Sequence, residues 1–183
     1  MINALQPHKR TTMRISDTNV WKTVFWDELG SDKQVPVWQI NDGIKIKSNY
    51  FYDPVEVQLI ADNDNDKQIN IESFDLKQVE TILVEIDFYI EKSIMYIKSE
   101  LLSKPELFGI KISDTEKYKD VKVEDFPVAV PFIYFYPNGS WMLEFKYANG
   151  FPTVEPGLGM GVFYNSQNEI KELLIPDINN LDL

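Results

Sequence analysis

Residues 74–103 read FDLKQVETILVEIDFYIEKSIMYIKSELLS, the longest unbroken helical pattern in the chain. Val79, Ile82, Leu83, Ile86, Ile90, Ile94, Ile97 and Leu101 recur at helical spacing, which puts them on one side of an α-helix. Val84, Phe88 and Met95 form a second apolar edge, so more than one face is expected to be covered. Asp75 stands where an N-cap accepts the first free backbone amides, and Gln78 three residues on resembles the partner of a capping box. Pro105 ends the pattern. A helix over 76–103 would run roughly 42 Å at 1.5 Å per residue, long enough to cross a whole sheet.

On both sides of this helix the periodicity changes to that of strands. Before it, residues 20–26 are rich in β-branched and aromatic side chains, and Gly30-Ser31-Asp32 makes a turn. Residues 35–40 and 44–47 flank Asn41-Asp42-Gly43, a tight-hairpin signal, and residues 55–60 alternate apolar with polar. After it, residues 105–128 form a charged connector. Strand patterns at 131–136 and 141–147 then flank Pro137-Asn138-Gly139-Ser140, and those at 161–164 and 170–175 flank Asn165-Ser166-Gln167-Asn168. No internal repeat or low-complexity tract interrupts this order. The expected class is α+β, with antiparallel β-meanders at both ends of the chain packed around one long central helix. Residues 1–16 are expected as a flexible N-terminal arm and 17–183 as a single domain. Whether the strands make one sheet or two is left open by the pattern.

The chain has 183 residues, 44% hydrophobic and 13% aromatic, which is enough apolar surface for a real core. Its 29 acidic and 18 basic residues leave a net charge of −11, and Arg10 and Arg14 are its only arginines. Phosphate backbones are held by Lys and Arg clusters, so nucleic acid is not an expected partner. There are no cysteines, which removes disulfides, thiolate metal sites and a Cys nucleophile. His8 is the sole histidine and lies in the N-terminal arm, so His-based triads and the commoner zinc sites are not expected either. No apolar core follows the basic start, as a secretory signal would need. No run approaches a membrane span, and the expected setting is cytoplasmic with no membrane partner.

Among the candidate sites, Asp62-Asn63-Asp64-Asn65-Asp66-Lys67-Gln68-Ile69-Asn70-Ile71-Glu72 places oxygen ligands at alternate positions, as a calcium loop does. Lys67 occupies the position that requires glycine, and Ser73 stands where the bidentate Glu belongs, so a solvated connection is the better reading and no metal is expected. The pairs Asp53 and Glu56, and Glu85 and Asp87, raise two-carboxylate catalysis. Asp53-Pro54 is a turn, however, and Glu85 and Asp87 fall off the helix stripe into solvent. Glu144 alternates with Met142 and Lys146, away from Trp141, Leu143 and Phe145, and is expected to be exposed. Gly157-Leu158-Gly159-Met160-Gly161 lacks the Lys-Ser/Thr of a phosphate loop and precedes a strand, so close backbone packing explains it better. No catalytic residue and no cofactor emerge. Tyr50-Phe51-Tyr52 with Trp38 are either interface anchors or core, and core is the commoner fate of such residues.

Gly139 to Phe145, Glu155 to Phe163 and Glu169 to Leu173 together resemble a pattern in small acidic bacterial domains. In these, an aromatic strand leads through an acidic Gly-Leu-Gly turn into a strand and a hairpin. Some such domains are immunity proteins of polymorphic or type VI secreted toxins. Pro156 stands where those versions often carry His, so the resemblance implies a fold tendency and an immunity association but no catalytic residue. It implies a non-enzymatic immunity protein that binds a cognate toxin and occludes it. The acidic balance suits a basic toxin, and the expected contact residues are Asp62, Asp64, Asp66, Glu72, Tyr50 and Tyr52. The alternatives are a small carboxylate-based or metal-assisted enzyme and a regulatory interaction module.

Overall fold

The computed structural model describes residues 14–15, 17–27, 34–61, 69–148, 150–151 and 159–175. Among them, strands β1 (Trp21–Asp27), β2 (Gln34–Ile40), β3 (Glu56–Ile60), β4 (Val128–Phe135), β5 (Trp141–Ala148), β6 (Met160–Tyr164) and β7 (Ile170–Leu174) lie in one sheet in chain order. Every neighbouring pair is antiparallel except β3 and β4, which run parallel. The class is α+β, but the expected pair of meanders around a helix is corrected to one mixed sheet. The reason is geometric: a long helical connection between β3 and β4 lets the second group of strands start beside the first and in the same direction.

That connection carries α1 (Leu76–Val84) and α2 (Ile86–Ser103), then 3₁₀ turns and the short α3 (Glu116–Lys119). The one long helix is thus divided at Glu85, although the Tyr89 N–H still reaches the Glu85 carbonyl at 3.3 Å and the Glu85 N–H reaches that of Thr81 at 3.2 Å. Asp75 caps α1 as expected, its carboxylate accepting from the N–H groups of Lys77 and Gln78, each at 3.1 Å. Gln78 has a different task from closing the box. Its side-chain amide donates to the carbonyls of Gly139 (3.1 Å) and Ser166 (3.2 Å) and to the Asn168 side chain (3.3 Å), so it pins α1 to the two hairpin turns. Those turns form where the sequence placed them, with Gly139 at φ +80° and Asn168 at φ +61°, the left-handed region that Gly and Asn tolerate.

The first expected hairpin does not form. Asp42-Gly43 turns the chain, but β2 pairs with β1 and β3, and the segment after the turn contributes only a bridge between Ile46 and Val55. Gly30-Ser31-Asp32 lies outside the described residues. The arm enters the fold before β1: Ile15 is buried in the core and its carbonyl accepts from the Trp21 indole N–H at 3.0 Å.

Register aligns the side chains into rows. Trp38, Leu59, Phe135, Trp141 and Tyr164 stand opposite one another across five strands, and Val57, Ile133, Leu143 and Val162 make the next row. All are buried, and α2 lies on them. Tyr89 meets Trp141 edge-on at 4.9 Å, Trp141 stacks on Tyr164 at 3.9 Å, and the Tyr164 hydroxyl shares a 2.7 Å hydrogen bond with Ser93 of α2. The connector contributes core as well as charge, since Phe108, Tyr118 and Phe126 gather around Phe151 at 5.6–6.0 Å.

Candidate protein-binding surface

Two segments distant in sequence make one surface on the outside of α1 and α2. The first is the helix itself. Val84, Phe88, Glu91 and Met95 are spaced by four, three and four residues, which stacks them along one face. This face points away from the sheet: Val84, Phe88 and Met95 are 59%, 57% and 58% exposed, and Glu91 is exposed. The second apolar edge expected to be covered is therefore corrected to an open stripe. The helix has the sheet on one side only, so a residue opposite the core stripe meets no described neighbour layer. Phe88 rests edge-on against Tyr89 at 5.1 Å.

The second segment is the loop before β3. The Asn49 backbone N–H and side-chain amide donate to the Asp87 carboxylate at 2.9 and 2.5 Å, and the Tyr50 hydroxyl donates to Glu91 at 3.0 Å. Asp87 is thus a tether for the loop instead of a solvated charge, which corrects the expectation from the sequence. Burial first, then the hydrogen bond and negative charge of Glu91, and then Asp87, raise the Tyr50 hydroxyl above its ordinary pKa. The phenol stays a neutral donor through the physiological range. Phe51 turns inward against Phe145 at 5.9 Å, and Tyr52 is fully exposed. The aromatic run is split: Trp38 and Phe51 serve the core, Tyr50 fastens the loop, and Tyr52 faces outward.

Of the expected contact residues, Asp62, Asp64 and Asp66 lie outside the described residues. Glu72 is exposed in a 3₁₀ turn, its N–H held at 3.0 Å by the Asn70 side chain. It precedes the α1 cap, whereas Tyr50 meets α2 at Glu91, sixteen residues beyond that cap and roughly 24 Å along the helix. Tyr50 and Tyr52 lie in one loop, and Glu72 stands apart from it, before the α1 cap. Sequence reasoning missed Val84, Phe88 and Met95 as surface residues. The usable signal was their position across the helix from Ile82, Ile86, Ile90 and Ile94.

Elsewhere, Glu144 is mostly covered and pairs with Lys146 at 2.8 Å, in contrast to the exposure expected from strand alternation. Its opposite residue in β6 is Gly161, and its carboxylate oxygen lies 3.0 Å from where a Cβ on Gly159 would stand, so the side chain occupies space that the glycines leave open. A Cβ on Gly159 would stand 2.2 Å from the Phe145 carbonyl oxygen, in keeping with close backbone packing at this glycine, while Gly157 and Leu158 lie outside the described residues. Burial and the Glu144 charge push the Tyr134 hydroxyl well above its ordinary pKa. A pocket of about 380 Å³ opens beside β1–β3, with Lys22, Gln39, Asp42 and Glu56 around an apolar floor that includes Ile46 and Val55. The Lys22–Asp42 ion pair of 2.6 Å lies in its wall. Among the described residues no group of three or more His, Asp or Glu side chains is arranged to hold a metal ion, and no helix is long and apolar enough to cross a membrane.

The chain matches no protein-family model, and no curated protein or solved structure is significantly similar to it.

Proposed function

We propose that this chain is a non-enzymatic cytoplasmic immunity protein that binds a cognate secreted bacterial toxin and neutralises it by occlusion. The observation that carries the reading is the open stripe of Val84, Phe88 and Met95, bordered by Glu85, Asp87 and Glu91 and flanked by the loop that presents Tyr52. An apolar centre with a charged rim and a projecting aromatic is the composition of a protein-binding patch. The acids within it, and the net charge of −11, favour a partner whose facing surface is basic, because complementary fields speed encounter and penalise wrong partners. A nuclease toxin, whose own site must attract phosphate, has such a surface.

The test is co-purification with the product of the adjacent gene, followed by titration with Phe88→Ala and Met95→Lys variants. A one-to-one complex is expected, with each substitution weakening it by roughly 2 kcal/mol, about thirtyfold, while the fold is unchanged. Failure to form any complex, or a complex indifferent to both substitutions, would overturn the reading and direct attention to a substrate screen at the pocket beside Glu56.

A further inference from the structure

The geometry points to β1 as a homodimer seam, through which two copies of this chain join antiparallel into one continuous sheet. β1 ends the strand order, and among the described residues no strand lies beyond it. It is seven residues long, contains no proline, and Lys22 is its only charge before the terminal Asp27. Phe25 and Trp26, which point to opposite faces, are 62% and 41% exposed. A free edge of this kind is a template for another strand. The opposite edge is defended: β7 has five residues, with Lys171 and Glu172 in it and Glu169 just before it.

The backbone pattern shows which groups of β1 point away from β2, with no partner strand among the described residues, and why a second copy fits them. The Asn41 N–H donates to the Val20 carbonyl at 2.9 Å, so Val20 faces β2. By alternation Lys22, Val24 and Trp26 also face β2, while Trp21, Thr23, Phe25 and Asp27 direct their N–H and C=O groups outward. Pro36 agrees with this assignment, since it stands opposite Phe25 and has no N–H to offer. Two copies related by a two-fold axis through Val24 overlap along the whole strand. Thr23 then faces Phe25 of the second copy, Trp21 faces Asp27, and Val24 faces Val24. Outward groups meet outward groups, so the ladder closes. On the even face, the apolar stem of Lys22 meets Trp26 of the second copy at both ends of the seam, while its ammonium stays paired with Asp42 at 2.6 Å. No like charges are opposed. The stripe on α1 and α2 belongs to the helix layer and not to this edge, so the seam stands independently of toxin binding.

The test is sedimentation velocity of the full chain across a concentration series up to about 0.5 mM, the range in which a micromolar to submillimolar dimer is visible. Each copy carries a charge of −11, so the dimer is expected to tighten as salt rises and screens the repulsion. Thr23→Pro removes an outward donor without touching the β1–β2 ladder, and should weaken the dimer at least about tenfold with unchanged circular dichroism. Val24→Lys, which opposes two ammonium groups at the axis, is the second variant and decides the matter if Thr23→Pro misfolds. A chain that stays monomeric throughout the series at high salt overturns the seam. So does a dimer that survives in a correctly folded variant of either kind.

Discussion

The two faces of the sheet are built from alternate residues of the same strands, and they solve opposite problems. Under α2 the row Trp38, Leu59, Phe135, Trp141 and Tyr164 is apolar apart from the indole N–H groups of its two tryptophans and one hydroxyl, and the central ones are bonded: Trp141 to the Asn168 side chain at 2.9 Å, Tyr164 to Ser93. On the far face the register row is Lys22, Gln39, Gln58, Tyr134, Met142, Phe163 and Glu172, with Glu56, Phe132 and Glu144 beside it. This face is polar in composition and yet much of it is shut off from water. Gln58 is 5% exposed and its side-chain oxygen has no hydrogen-bond partner among the described residues, while the Lys146 ammonium lies 5.1 and 5.7 Å from the Phe132 and Tyr134 ring centres. The lesson is that alternation assigns a side chain to a face, whereas burial depends on what its neighbours do on that face.

Breaking the helix-side face should cost most. Trp141→Ala empties a fully buried site between Tyr89, Phe135 and Tyr164, and is expected to lower the unfolding free energy by about 3–5 kcal/mol in a urea titration. Alkaline pH comes next. Burial raises the Tyr164 hydroxyl from 10.0 to about 12, partly offset by the Ser93 hydrogen bond, so the folded state holds that proton more tightly than the unfolded chain. Its stabilising effect is complete below pH 10 and is lost as the pH rises through 12, a change of roughly 2–3 kcal/mol for this group. Tyr134 acts in the same direction. Unfolding titrations at pH 9 and above should show the slope, and Tyr164→Phe should flatten it.

Smaller effects sharpen the contrast between satisfied and unsatisfied polar groups. Ser93→Ala and Tyr164→Phe should each cost about 1–2 kcal/mol by stranding the other hydroxyl, but the double variant should cost less than their sum, as a double-mutant cycle will read. On the far face the sign reverses. Gln58→Leu removes an orphaned acceptor at nearly constant volume and should leave stability unchanged or raise it by up to about 1 kcal/mol. A clear loss of stability there would show that the amide is engaged after all.

How much of this was legible in the sequence depended on how local the cause was. The helix stripe, its Asp75 cap and the turns at Gly139 and Asn168 follow from spacing and from conformations that neighbouring residues dictate. The parallel seam between β3 and β4 could not be read, because it pairs Gln58 with Tyr134 across the entire crossover. The same holds for Gln78. Its spacing from Asp75 suggested a cap partner, but the competing acceptors, Gly139 and Ser166, are remote in sequence. For the candidate surface, Tyr50 and Tyr52 were visible as aromatics in a polar loop. Nothing local revealed that Asn49 and Tyr50 would fasten that loop to Asp87 and Glu91.

The parallel seam also sets the order of folding events. Each antiparallel neighbour is reached through a connection of modest length, but β3 and β4 meet only after residues 61–127 have been drawn into a closed loop. Loop-closure entropy and contact order therefore place the barrier at that meeting, with two locally assembled halves waiting for it. Side chains within the second group, such as Leu143 and Val162, are expected to have φ-values well above those of Val57 and Leu59 at the seam. Equal φ-values across the four positions would show that the halves and their junction form together.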